Sequence, residues 1–167
     1  DSTATSNTAY GITAMDAITT GDNNTAMGFD AMGAMTSGLA GAAFGSGALK
    51  SNTEASFNTA VGYEAMALTT TGGSNTALGK GALYANTTGT RNLAIGFGAY
   101  DASDTENDNI AIGYDAMTTN GAGAEKNVAI GNYVMDAAIT GDGNIGVGYN
   151  ALSANLGGYQ NTAVGLQ

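Results

Sequence analysis

Asn58 Thr59 Ala60 Val61 Gly62 Tyr63 Glu64 Ala65 Met66 is the clearest copy of a unit that returns along the whole chain. An asparagine is followed by a small or β-branched residue, an alanine, an apolar residue and a glycine. An aromatic often comes next, and after one variable position the unit ends on alanine and Met or Leu. The central glycine falls at Gly11, Gly28, Gly45, Gly62, Gly79, Gly96, Gly113, Gly131, Gly148 and Gly165, giving nine intervals, eight of 17 residues and one of 18. A fixed period of that length marks a repeat architecture, in which each unit buries its apolar side against its neighbours.

A glycine and an asparagine at fixed points in every unit would weaken a helix repeatedly, so the units are read as strands and turns. Alternation places Thr59, Val61 and Tyr63 on one face and Ala60 and Gly62 on the other, a period of two. Leu93, Ile95 and Phe97 repeat it, as do Ile110, Ile112 and Tyr114. A second short strand is expected after a bend, at Ala65–Met66, Ala82–Leu83 and Ala116–Met117. Seventeen extended residues cover roughly 56 Å, enough for one flattened loop with two faces about 10 Å apart. One unit therefore makes one coil of an all-β parallel β-solenoid. Ten coils, the last incomplete, give a rod of roughly 48 Å at about 4.8 Å per coil. Residues 1–167 are read as a single solenoid domain. Because the chain opens on Asp1 rather than Met, it is expected to be a fragment of a longer fibre protein.

A second glycine recurs fourteen places after the first residue of the unit, at Gly21, Gly38, Gly72, Gly89, Gly123, Gly141 and Gly158, with Ala55 and Glu106 replacing it. A turn with positive φ is expected there. The one extra residue of the 18-residue interval is assigned to the turn between Gly123 and Asn127.

The chain has 27 glycines, four Phe and no Trp, too little bulk for an ordinary globular core of this length. Proline is absent, so nothing interrupts a backbone ladder. There is no cysteine, hence no disulfide framework. Fourteen acidic against four basic residues give a net charge of −10, which disfavours nucleic acid and anionic membranes as partners. No run of 18 apolar residues or leader-like start is visible, so no membrane insertion is expected.

Stacking lines up columns of Met or Leu, of Val, Ile or Leu, and of aromatics, and a coil this thin cannot bury all three. A continuous apolar strip is expected to be covered by further copies, and two or three chains satisfy that need. The Ala and Gly face is expected to lie at the shared axis, because it permits close backbone approach.

Of the candidate chemical groups, the recurring asparagines Asn7, Asn24, Asn58, Asn75, Asn92, Asn109, Asn127, Asn144 and Asn161, with Gly41 the exception, are read as a structural ladder. The central glycines are read as structural too, since no Gly-Lys-Ser/Thr phosphate loop occurs. Asp101, Asp104, Glu106 and Asp108 form the one acidic stretch resembling a cation loop. It matches no repeated calcium motif, and the reading is that no metal or other cofactor binds. Without His or Cys the usual bases and nucleophiles are missing, and Asp30, Glu64 and Asp115, in one variable column, are read as solubilising rather than hydrolytic. The chain is not expected to be an enzyme. The aromatic column of Phe29, Tyr63, Phe97, Tyr114 and Tyr149 is read as lateral packing, since Ile12, Ser46, Lys80, Asn132 and Leu166 share it.

The unit Asn75 Thr76 Ala77 Leu78 Gly79 Lys80 Gly81 Ala82 Leu83 Tyr84 Ala85 Asn86 Thr87 Thr88 Gly89 resembles the repeats of phage tail fibres, and Val128 Ala129 Ile130 Gly131 is similar to the YadA-like heads of trimeric autotransporter adhesins. The resemblance spans essentially the whole chain. It implies a left-handed parallel β-roll, intertwined or side by side in a homotrimer. It implies, too, a shaft or head segment that supports host attachment from a virion or from a cell surface. A host-surface glycan or protein, met through a distal tip, is the further partner it implies. A bacterial adhesin or extracellular filament subunit is the alternative. An ice-binding solenoid is weaker, because Ala42, Leu93, Ile110, Val128 and Ile145 interrupt the column of Thr8, Thr25, Thr59, Thr76 and Thr162.

Overall fold

The computed structural model describes residues 3–102, 104–119, 123–137, 139–154 and 157–167. Ten strands of three residues each form one sheet: β1 (Thr8–Tyr10), β2 (Thr25–Met27), β3 (Ala42–Phe44), β4 (Thr59–Val61), β5 (Thr76–Leu78), β6 (Leu93–Ile95), β7 (Ile110–Ile112), β8 (Val128–Ile130), β9 (Ile145–Val147) and β10 (Thr162–Val164). Their order in the sheet is their order in the sequence. Every neighbouring pair is parallel with equivalent positions of the unit opposite each other, Thr59 on Thr76 and Thr76 on Leu93, for example. The chain is a β-solenoid of 17-residue coils, here numbered from the ladder position, so that coil 1 starts at Asn7, coil 6 at Asn92 and coil 10 at Asn161.

Among the described residues only one strand forms per coil. The expected second strand is replaced by two overlapping reverse turns. In coil 2 the Ala31 N–H donates to Gly28 O at 3.4 Å and the Gly33 N–H to Asp30 O at 3.3 Å. The third residue of each turn, Asp30 (φ 56) and Met32 (φ 51), is left-handed, which identifies them as type II and rules out extended backbone. Between the turns the ladder to the neighbouring coils persists, since Asp30 N–H donates back to Ile12 O at 2.9 Å and Met32 N–H forward to Ala48 O at 3.0 Å. The left-handed pair recurs in every complete coil, as Glu64 and Met66 or Asp115 and Met117, with Gly47, Gly81 and Gly98 taking the first place in coils 3, 5 and 6. A non-glycine residue there costs roughly 1 kcal/mol or more, and the coil-to-coil bonds hold it in place.

The interior lies between the strand alanines and the turn segment. Ala60, Ala77, Ala94, Ala111 and Ala129 are fully buried, facing the buried column of Met32, Leu49, Met66, Leu83, Tyr100, Met117 and Met135 and the second alanine column at Ala31, Ala48, Ala65, Ala82, Ala99 and Ala116. The Ala face is therefore the inside of each coil and not an axis between chains: the gap in one coil is only wide enough for methyl groups on one side and one long side chain on the other. The step from coil 8, which holds Val134, to coil 9, which holds Gly146, shows how tight this is. Val134 stands in the second alanine column, and Gly146 replaces the strand alanine, where an added Cβ would lie 2.7 Å from Val134 Cγ1.

Candidate functional site

Each recurring asparagine joins two coils through its amide. In coils 4 to 6, Asn75 N–H donates to Asn58 Oδ1 and Asn92 N–H to Asn75 Oδ1, both at 2.8 Å, while Asn58 Nδ2 donates to Gly72 O at 2.7 Å and Asn75 Nδ2 to Gly89 O at 2.8 Å. In these coils the amide oxygen thus accepts from the backbone one coil on, and the amide nitrogen closes the asparagine's own coil fourteen residues away; Asn127 departs from this, its buried Nδ2 having no partner among the described residues, and Asn161 Nδ2 donates instead to Asn144 Oδ1. Asn7, Asn24, Asn109, Asn127, Asn144 and Asn161 take part in the same oxygen-to-backbone chain, with Gly41 N–H donating to Asn24 Oδ1 at the gap. Asn109 Nδ2 additionally reaches Tyr100 Oη at 2.5 Å, satisfying the one hydroxyl in the Met/Leu column.

The central glycines Gly11, Gly28, Gly45, Gly62, Gly79, Gly96, Gly113, Gly131 and Gly148 all have φ between 129 and 142, and a Cβ on any of them would collide with the carbonyl of the next glycine in the column. Gly165, the last in the column, has φ 142 and open space beside it. The second glycines behave otherwise. Gly123 has the expected positive φ, at 90, but Gly21, Gly38, Gly72 and Gly89 do not lie in the left-handed region; they are small because a carbonyl of the next coil, Gly38 O above Gly21 for example, packs directly against them. The turn that does need positive φ sits two residues later, on the residue preceding each ladder position: Asn23 (φ 60), Phe57 (φ 62), Arg91 (φ 58) and Lys126 (φ 59) among them. Polar residues there tolerate the left-handed region better than most, but Phe57 shows why composition alone did not reveal it.

The extra residue is placed differently from the sequence-based expectation. Asn109 Nδ2 donates to Ala124 O at 3.0 Å, so Ala124 and not Gly123 takes the second-glycine place. The extra residue therefore comes before Ala124. Coil 6, directly beneath, is adapted to this. In the earlier coils two or three successive N–H groups converge on one carbonyl of the next coil, as Thr87, Thr88 and Gly89 do on Asp104 O at 2.8, 3.2 and 3.4 Å. In coil 6 the equivalent N–H groups, of Asp104 and Thr105, donate instead to Glu106 Oε2 at 3.0 and 3.1 Å, and Gly123 N–H from the coil above donates to Glu106 Oε1 at 3.0 Å. Burial pushes the Glu106 carboxyl up, but the N–H groups of Gly123, Asp104, Glu106 and Thr105 outweigh it and hold the group below the ordinary glutamate range. A carboxylate fills the anion-shaped hollow that a carbonyl fills elsewhere.

The other acidic candidates diverge. Asp108 is bidentate to Arg91, with Nε and Nη2 at 2.6 and 2.8 Å from its two oxygens, and that hydrogen bonding lowers its carboxyl. Asp104 accepts from the Thr87 hydroxyl of the coil below. Asp101 sits near Asp115, and burial first, then that neighbouring charge, pushes its carboxyl up. Among the described residues no three acidic side chains converge as metal ligands would. In the variable column, Glu64 pairs with Lys50 at 3.3 Å. A second threonine column, Thr19, Thr36, Thr53, Thr70 and Thr87, is uninterrupted, yet its hydroxyls donate to carbonyls of the next coil and are committed to the stack.

The feature that stands apart is the outer face of the sheet. Its first column, from Thr8 to Thr162, and its second, from Tyr10 to Val164, are partly or fully exposed throughout. The second is almost wholly apolar, with Met27 47%, Leu78 47% and Ile130 38% exposed. None of these twenty positions carries a charge, in a chain of net charge −10. Beside them runs the aromatic column, exposed at Phe29, Tyr63, Phe97, Tyr114 and Tyr149. Phe97 and Tyr114 stack at 5.3 Å and 8°, and Lys80 Nζ lies 4.9 Å from the Phe97 ring centre. Comparison with family models, with curated proteins and with solved structures gives no match.

Proposed function

We propose that the chain is a shaft or head segment of a homotrimeric surface fibre, most simply a phage tail fibre supporting host attachment, in which the copies meet through their outer sheet faces. The charge-free apolar face carries this reading. Nine coil spacings of about 4.8 Å and three alternate residues along a strand, about 13 Å, outline roughly 560 Å² for the two charge-free columns together with the aromatic column beside them, in which Lys80 is the one charge, at the top of the roughly 300–600 Å² found for the largest patch on a monomer. An acidic chain that keeps every charge off the two sheet columns leaves them free to meet their own copy without like-charge repulsion. Exposed backbone at the sheet face is already paired along the ladder, so the contact is one of side chains.

The count of three rests on the resemblance to tail fibres and adhesin heads, as does a distal tip that contacts a host glycan or protein. In this reading the segment's work is mechanical, with length and stiffness supplied by coil-to-coil bonds, and it has no catalytic role. The test is the native mass of the purified chain across a range of concentrations. Three times the 16.4 kDa of one chain is expected, and a monomer at every concentration overturns the proposal. Thermal hysteresis in the same sample would favour ice binding instead.

A further inference from the structure

Resting on the reading of the outer face as the contact between copies, we infer that coils 6 to 9 hold the copies together and that coils 1 to 5 meet through a weaker, hydrated zone. Two independent features coincide in coils 6 to 9. The first outer column is threonine in four of the first five coils, whereas coils 6 to 9 place Leu93, Ile110, Val128 and Ile145 there. Only in those four coils are both sheet columns wholly aliphatic. A threonine hydroxyl withdrawn from water needs a partner, and no such demand arises from Leu93 to Ile145.

The second feature is a chain of rings along the edge of the same coils. Phe97, Tyr114, Tyr133 and Tyr149 follow one another at centroid separations of 5.3, 5.4 and 5.7 Å. Coil 8 breaks the aromatic column with Asn132, and Tyr133, one place on and left-handed at φ 57, restores the contact. Lys80 ends the chain of rings on the coil 5 side. In coils 1 to 5 the same column offers Ile12, Ser46 and Lys80 in place of rings, leaving only Phe29 and Tyr63, two coils apart. Apolar width and a continuous aromatic border together describe the well-packed centre of an interface, with the threonine-bearing coils as its wet margin.

The matched variants Ile112→Lys (coil 7) and Val61→Lys (coil 4) test this, because both residues are β-branched, half-buried and in the same column. Sedimentation over a concentration series reads the assembly midpoint, and circular dichroism checks that each coil stack is intact. Ile112→Lys is expected to raise the midpoint at least about a hundredfold and Val61→Lys less than about tenfold, a buried lysine without a partner being among the costliest interface changes. Equal weakening, or a larger effect of Val61→Lys, overturns the inference while leaving the shared-face reading intact. Unchanged assembly in both variants overturns the inference and the choice of face, and a monomeric parent chain overturns the proposed function itself. If Ile112→Lys does not fold, Ile112→Thr and Val61→Thr make the same comparison at smaller amplitude.

Discussion

Glu106→Ala removes the carboxylate that accepts, between coils 6 and 7, from the N–H groups that donate to a carbonyl in the earlier coils. Three N–H groups, of Asp104, Thr105 and Gly123, lose their acceptor. All three residues are exposed, so water recovers part of the loss, and the net worth of about 0.5–1.5 kcal/mol per bond applies rather than the full cost of an orphaned group. The sum is about 2–4 kcal/mol, which for a chain of this size lowers the thermal midpoint by roughly 5–15 °C. Circular dichroism melts at pH 7 measure it, with Glu54→Ala as the exposed control. Glu106→Gln separates charge from shape. Because the folded-state carboxyl is held below its ordinary value, its contribution is fully present above the unfolded-state pKa and fades as pH falls through the folded one. The parent chain should therefore lose stability on acidification from the ordinary carboxylate range downward by more than Glu106→Gln does. A Glu106→Ala chain that melts within about one degree of the parent, with an unchanged acid limb, would refute the idea that this residue compensates for the extra residue.

Two further outcomes follow from the stack. Gly79→Ala should cost more than about 3 kcal/mol, combining a strained φ of 142 with collision against the Gly96 carbonyl, whereas Gly81→Ala, at φ 66 with nothing within 4 Å, should cost about 1 kcal/mol; chemical melts of the pair decide whether the central column is set by clearance. Asn75→Ala strands the buried Asn92 N–H, at about 1–3 kcal/mol, while the Gly89 carbonyl loses one donor and keeps Asn86 Nδ2 at 3.2 Å. Hydrogen exchange at Asn92 should speed up while β9 stays protected, and a uniform change along the rod would argue against local pairing.

The period and the stacking were legible because coils lie in register, so that each constraint acts once per 17 residues and leaves its mark in every copy. The inside of the strand was harder to read. Hydrophobicity favours Val61 over Ala60 for the core, and the structure does the reverse. Width is the reason: the gap between the strand and the Met66 column admits a methyl and no more, so size assigns the inside and the larger aliphatic residues are turned outward. A signal for this was present in the repeats themselves. Where the second alanine column gains Val134, the strand column gives up its Cβ at Gly146, a volume exchange that only facing positions would make. Coil 6 carries a second signal of this kind, since Glu106 displaces the usual small residue in the coil just before the 18-residue interval. The left-handed Met66 and Leu83 left no such trace, because stacking, and not residue type, keeps them there. Departures from the unit, compared pairwise between neighbouring coils, therefore point to contacts that the consensus hides, and the same comparison singles out coils 6 to 9, where Thr gives way to Leu, Ile and Val on a face that has no partner within the chain.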